Sequence, residues 1–221
     1  MSKKYLKLFV QAIIAGFTIG LGGTVYLRIK DSFAGGMVVG SFMFAIGLFI
    51  ICTRGYALFT GRACALFDNK PSYLIDLAII WVGNLVGGML IAGLESLTSL
   101  CGESGINAAA AALVENKMNA NYLSLFCLGI LCNIFIFIAV NGYAKNPHEL
   151  GKYLAILFGV SCFILAGTEH CIADQYYWCI SGILYKQPLQ SLGCLLVITL
   201  GNMAGGVLFP LTEKLIAWLD R

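Results

Sequence analysis

Runs of about 20 apolar residues set the length scale of this chain, because an α-helix of that length crosses the hydrocarbon layer of a membrane. Six such runs follow one another along the sequence. They lie near residues 8–27, 33–52 with a continuation over 58–67, 73–94, 121–140, 153–185 and 189–209. The pattern predicts an all-α integral membrane protein with six transmembrane helices, embedded in a lipid bilayer.

The composition agrees with this prediction and excludes other classes of protein. Only 11% of the 221 residues are charged and 59% are hydrophobic, whereas about a quarter of the residues in soluble domains are charged. The net charge of +3 is too small and too scattered to predict a nucleic-acid partner. The nine cysteines contain no CxxC pair and lie mostly inside apolar spans, so they predict buried small side chains rather than a disulfide or metal framework. No metal or cofactor is expected.

Two of the six spans are interrupted. The second is broken by the stretch Thr-Arg-Gly-Tyr at residues 53–56, and the fifth, 33 residues long, carries Glu169 and His170 at its middle. Broken helices are tolerated at membrane depth only where they are buried in protein or line a polar cavity. The two interruptions therefore predict the functional centre.

An internal repeat supports that choice. The pattern Gly-Asn-x-x-Gly-Gly at residues 83–88 reappears at residues 201–206, which relates two halves of three helices each, about 1–97 and about 121–210. Because three is an odd number, the two copies enter the membrane in opposite orientations, an arrangement that many transport proteins share. The sequence predicts one transmembrane domain over 1–221.

The basic residues predict the orientation. With both termini on one side, more lysines and arginines collect on that side than on the other, and the positive-inside rule then places the termini in the cytoplasm. The side of the termini collects Lys3, Lys4, Lys7, Lys70, Lys145, Lys152, Lys214 and Arg221, and the opposite side collects Arg28, Lys30, Lys117 and Lys186. The longest loop, 95–120, lies outside, and its alanine-rich middle predicts a short surface helix.

Several motifs together resemble the formate/nitrite transporter family. They are residues 7–20, the triplet Leu58-Phe59-Thr60, the pair Glu169-His170 and the repeated Gly-Asn-x-x-Gly-Gly, in the same order and in nearly every span. The resemblance implies an aquaporin-like fold, a homopentamer in the cytoplasmic membrane with one pore in each protomer, and conduction of small monovalent anions such as formate, nitrite or hydrosulfide.

The resemblance also implies the pore residues. Thr60 and His170 face each other in the pore, with Glu169 beside the histidine, and Lys152 lies in the vestibule. Asn133 and Asn202 match polar positions beside the pore. The two hydrophobic constrictions match Phe44, Leu48, Leu58 and Phe163. The sequence departs from the family at Asp174, where the family often has asparagine, and in its short N-terminus, which leaves little of the amphipathic segment that some members use as a gate.

The chemistry of these residue types agrees with anion transport. An anion in hydrocarbon needs positive potential at the pore mouth, hydrogen-bond donors at the centre and apolar rings that remove water. A histidine in a broken membrane helix is a functional candidate, and it titrates near neutral pH, which predicts proton-linked conduction through His170. Formate is the favoured anion, with nitrite and hydrosulfide as alternatives.

Other classes fit less well. A membrane-embedded enzyme with His170 as general base lacks a nucleophile motif, since no Gly-x-Ser-x-Gly occurs. A haem or metal protein needs more ligands than His170 and His148 provide. A purely structural membrane protein does not need two interrupted helices.

Overall fold

The protein, seen in a computed structural model, is described over residues 3–221, so residues 1 and 2 of the predicted domain lie outside the described part. Its described residues form ten α-helices and a short 3-10 helix at Leu66–Asp68. The α-helices are α1 Lys3–Ile29, α2 Gly36–Arg54, α3 Phe59–Ala63, α4 Tyr73–Ser96, α5 Ile106–Met118, α6 Tyr122–Lys145, α7 Glu149–Leu165, α8 Cys171–Ile180, α9 Ile183–Lys186 and α10 Pro188–Leu219.

Five helices, α1, α2, α4, α6 and α10, are long and apolar enough to cross a membrane by length and composition. The second predicted span is divided between α2 and α3, and the fifth among α7, α8 and α9. Large apolar side chains remain exposed on the outer faces of the long helices, among them Ile75, Leu90 and Leu94 of α4 and Leu196 and Leu200 of α10. Such surfaces are stable against lipid and unfavourable in water.

Helix α1 packs against α4 and α2, and α6 packs against α10 and α7. Backbone contact explains the repeated glycines: a Cβ at Gly87 would lie 2.0 Å from the carbonyl oxygen of Ile13, and a Cβ at Gly205 would lie 2.1 Å from that of Ile130. Small residues allow this close approach where lipid provides little hydrophobic driving force between helices. The two motif copies therefore pack two equivalent helix pairs.

Each interruption has the same backbone order. Gly55 after α2 has φ of 70°, and Gly167 shortly after α7 has φ of 66°, a left-handed conformation that favours glycine. An extended residue then precedes the next helix, Leu58 before α3 and His170 before α8. The chain thus leaves one helix, passes through a left-handed glycine and an extended residue, and starts a short helix whose first residues are buried.

The loop helix α5 forms where a short surface helix was predicted, and one of its faces is buried. Its residues Ile106, Ala110 and Val114 are buried, and it packs against α8 and α1. An apolar stripe at a spacing of four residues buries one face of a helix even when its composition is mostly alanine. Helix α5 therefore covers the molecule beside the second interruption.

The last helix is longer than the sixth predicted span, which ended at Phe209 before Pro210. Helix α10 continues through Pro210 to Leu219. Proline removes one backbone hydrogen bond and usually ends or kinks a helix. Here residues 211–219, which follow the proline, are held by Lys214. Its Nζ donates to the carbonyl oxygen of Phe67 at 3.0 Å and pairs with Asp68. These contacts offset the local preference of the proline.

Candidate functional site

The two interruptions bring Thr60 and His170 together. The hydroxyl Oγ1 of Thr60 lies 3.1 Å from Nε2 of His170, and both residues are buried. Thr60 lies in the first turn of α3, and His170 is the N-cap residue of α8. Two residues 110 positions apart thus form one polar contact in an otherwise apolar centre.

The hydrogen bonds of the ring assign its tautomer. Nδ1 of His170 accepts from the backbone N–H of Ala173 at 3.1 Å, so this nitrogen carries no proton. The proton of the neutral ring is then on Nε2, which donates to Thr60, and the threonine hydroxyl keeps its own proton to donate. A second ring proton would break the Ala173 contact and place a cation at the N-terminus of α8, where the helix dipole is unfavourable. The geometry favours a neutral histidine.

The four predicted constriction residues form two apolar pairs. The ring of Phe163 stacks on that of His170 with centroids 5.3 Å apart, and Phe44 meets Phe163 edge-on at 6.0 Å. Leu48 and Leu58 line a cavity of about 470 Å³, the inner cavity, which is also lined by Arg62. Because Phe44 and Leu48 are one turn apart on α2, the two pairs are separated by about 6 Å along that helix.

Asn202 holds the second interruption in place. Its Nδ2 donates to the carbonyl oxygens of Gly129 and Glu169, both at 2.8 Å, and its Oδ1 accepts from the N–H of Cys171 at 2.9 Å. The two groups at the interruption flank His170 in sequence, and Asn202 is fully buried. Asn202 therefore positions His170 through the backbone.

Asn84 makes the same set of bonds at the first interruption. Its Nδ2 donates to the carbonyl oxygens of Ala12 at 2.8 Å and Ala57 at 3.0 Å, and its Oδ1 accepts from the N–H of Phe59 at 2.9 Å. Its contacts show a positioning role, with Leu58 held in the place that corresponds to His170.

Asn133 joins the two interruptions. Its Nδ2 donates to the carbonyl oxygen of Thr60 at 3.1 Å and to that of Asn202 at 2.7 Å. Its Oδ1 is buried without a hydrogen-bond partner in the part of the chain that the structure describes. The three asparagines therefore act mainly on the backbone around Thr60 and His170.

A second cavity of about 220 Å³, the outer cavity, lies against His170 and Phe163. Three charged side chains also line it: Glu169, Asp174 and Lys117 of α5. Nζ of Lys117 donates to Oε2 of Glu169 and lies 3.0 Å from Oδ1 of Asp174. Burial lowers the pKa of Lys117, but the Asp174 and Glu169 carboxylates outweigh burial and hold that pKa above its usual value, so the ammonium stays charged.

Sequence reasoning missed Lys117 as a site residue because it belongs to the loop between two spans. One signal was present: two carboxylates inside a membrane span need a cation to offset their desolvation. Only the packing of α5 against α8 identifies which lysine supplies it.

Lys152 lies apart from this group. It stands in the first turn of α7, pairs with Glu149, and lines neither cavity. At 1.5 Å per residue it is about 20 Å along α7 from the second interruption. The hydrogen bond with Glu149 raises the pKa of Lys152, so it remains a cation near one end of the molecule.

Comparison with known proteins identifies the family and several relatives of the chain. The family model described as "Formate/nitrite transporter" matches residues 1–215. The formate channel FocA of Haemophilus influenzae is 24% identical, covering 90% of this chain and 82% of its own. The uncharacterized transporter YwcJ of Bacillus subtilis is 28% identical, and the match covers 91% of this chain and 85% of YwcJ.

Two solved structures share the fold. One, titled "FNT family ion channel", is 27% identical with a TM-score of 0.82 and covers 98% of this chain and 90% of its own. The other, a pentameric formate channel with formate bound, is 24% identical with a TM-score of 0.83 and covers 99% and 100%. These relatives are channels and transporters, which confirms the prediction that the protein is not an enzyme. Because the family model matches nearly the whole chain, this multi-pass membrane protein belongs to the formate/nitrite transporter family.

Proposed function

We propose that the protein is a channel for small monovalent anions, with formate as the favoured substrate. The contact between Thr60 and His170 carries this proposal, because it joins two hydrogen-bond donors where the two interruptions meet. His170 lines the outer cavity, and Leu58 and Gly61, close to Thr60 in sequence, line the inner cavity. An anion that passes from one cavity to the other meets these donors.

The chemistry of the contact suits an anion. An anion that loses water in a narrow apolar passage needs donors to replace its hydration. The Nε2–H of His170 and the hydroxyl of Thr60 are two such donors, and neither brings a fixed charge that would trap the ion. The phenylalanine pair and the leucine pair act as the two constrictions, and Asn133 and Asn202 hold the donors in place.

The architecture in this proposal is two inverted three-helix repeats, about 1–97 and about 121–210, in one channel domain over 1–221, with the second and fifth helices broken as in an aquaporin-like fold. Three observations support it: the equivalent bonds of Asn84 and Asn202, the left-handed glycine in each interruption, and the repeated helix packing.

The assembly in this proposal is a homopentamer in the cytoplasmic membrane with both termini in the cytoplasm. The similar formate channel is pentameric, which supports the oligomer, and the distribution of basic residues supports the orientation. Lys152 then lies at the cytoplasmic mouth, where a cation attracts anions. Its pairing with Glu149 reduces that attraction.

Formate is preferred over nitrite and hydrosulfide because several of the similar curated proteins are named as formate channels.

Proton linkage belongs to the proposal as well. The sequence assigned the proton to His170, whose ring is already held neutral by Ala173 and Thr60. An anion that favours a protonated ring must offset the loss of the Ala173 contact, and the proton itself must come from solvent or from the conjugate acid of the anion.

Purified protein in liposomes tests the proposal. Formate, nitrite and hydrosulfide compete in one flux assay across a series of pH values, with empty liposomes as the background. The proposal is supported if anion flux exceeds the background and formate crosses faster than nitrite and hydrosulfide. Anion flux no faster than in empty liposomes refutes the channel, and a faster flux of nitrite or hydrosulfide refutes formate as the favoured substrate.

A further inference from the structure

Lys117, Glu169 and Asp174 form a buried cluster with unequal charge. The ammonium of Lys117 contacts Oε2 of Glu169 and Oδ1 of Asp174, and the side chains are 15%, 8% and 2% exposed. One cation therefore faces two carboxyl groups. If both were ionised, the cluster would carry a net charge of −1 where water is largely excluded, which is strongly unfavourable.

One oxygen atom of the cluster indicates which carboxyl group holds the proton that would neutralise this charge. Oδ2 of Asp174 is buried and has no hydrogen-bond partner in the described residues, while Oδ1 of the same group contacts Lys117. An ionised carboxylate needs partners for both oxygens, whereas a protonated carboxyl needs fewer acceptor contacts and gains a donor. Asp174 also lines the outer cavity, which His170 borders as well.

The other titratable groups near Asp174 do not change the charge count. The cysteines and tyrosines among them are neutral near pH 7, and Glu95 is held by Thr24 and Tyr176 away from the cluster. In the described chain, the groups are Tyr26 of α1, Glu95 of α4, Lys117 of α5, Cys132 of α6, Cys171 and Tyr177 of α8 and Cys194 of α10, with Glu169 and His170 of the interruption. Lys117 is the positive charge of this set.

We propose that Asp174 is the proton-carrying residue of this pore: it shares one proton with Glu169 beside Lys117 and makes the outer cavity electrically neutral when the proton is bound. This inference rests on the proposed function for its effect on transport. With the proton bound, an anion at His170 meets no net negative charge from the cluster. When the proton leaves, the cluster becomes −1 and repels the anion.

Infrared spectroscopy tests the proton without any transport. The C=O stretch of a protonated carboxyl is separate from the bands of a carboxylate, so a wild-type minus Asp174→Asn difference spectrum near neutral pH should contain it. Glu169→Gln should remove the same band, because one carboxylate and one ammonium balance without a proton. Glu115→Gln is the matched control: it removes an exposed carboxylate of α5, the helix that carries Lys117, and should leave the band unchanged. A difference spectrum of Asp174→Asn without this band overturns the proposal.

Flux then tests the consequence. Both proteins face the same concentration of neutral acid, so the ratio of wild-type to Asp174→Asn formate flux isolates the cluster. The ratio should fall about tenfold for each pH unit above the midpoint of the cluster, as expected for one proton. A ratio that is constant with pH overturns the proposal. The proposal is also overturned if the formate flux of His170→Asn does not change with pH while that of Asp174→Asn depends on pH as in the wild type. If the wild-type protein conducts no anion, the proposed function fails and the infrared result alone decides the proton site.

Discussion

Replacing Asn202 by alanine should destabilise the protein far more than an ordinary surface change. Asn202 is fully buried, and its amide serves three buried backbone groups: the N–H of Cys171 and the carbonyl oxygens of Glu169 and Gly129. A buried polar group left without a partner costs about 1–3 kcal/mol, so three groups together cost about 3–9 kcal/mol. For a chain of this size the lower bound corresponds to a melting temperature about 6 °C lower or more.

Thermal unfolding in detergent, followed by tryptophan fluorescence, measures this loss. The matched control is Asn119→Ala, which removes an exposed asparagine at the end of α5 and should leave the melting temperature nearly unchanged. Because Asn202 also positions His170, the variant that still folds should conduct formate more slowly than the wild type. A melting temperature equal to that of the Asn119→Ala control would show that the amide does not hold the interruption, and the positioning argument would be wrong.

Four further variants test the remaining parts of the account. Asn84→Ala should lower the melting temperature as much as Asn202→Ala, since it removes the equivalent three bonds; a loss under half as large contradicts the equivalence. Thr60→Val keeps the shape and removes a donor to a charged group, so formate flux should fall about 10- to 100-fold; unchanged flux removes Thr60 from the pathway. Lys152→Gln should lower flux about two- to fivefold at low salt and little at high salt, with Glu149→Gln acting in the opposite direction; an effect that ignores salt leaves Lys152 without a role at the mouth.

The sequence predicts the helices of this fold well because each is long and apolar. Spans one, three and four end within a few residues of α1, α4 and α6. Helix α10 continues past the end of the sixth predicted span, because the contacts of Lys214 that hold the residues after Pro210 are tertiary. Local preference decides a helix end only where no distant contact competes.

The site was predicted in part. Thr60, His170, Phe44 and Phe163 lie within one connected group, as motifs and resemblance predicted, although their transport roles stay predictions. Lys117 was missed, since the loop sequence does not show which lysine folds back onto Glu169 and Asp174. The motif alone does not decide the role of Asn84, because only its backbone partners show what this buried asparagine holds.

The flux of formate through purified protein in liposomes tests the central claim most directly. Wild-type protein should carry formate well above the rate of empty liposomes, and Thr60→Val in the same lipid at the same protein density should carry at least about tenfold less. Both proteins should melt at similar temperatures, which separates lost conduction from lost folding. Wild-type flux at the background rate, or equal flux in the two proteins, would contradict the account of an anion pore centred on Thr60 and His170.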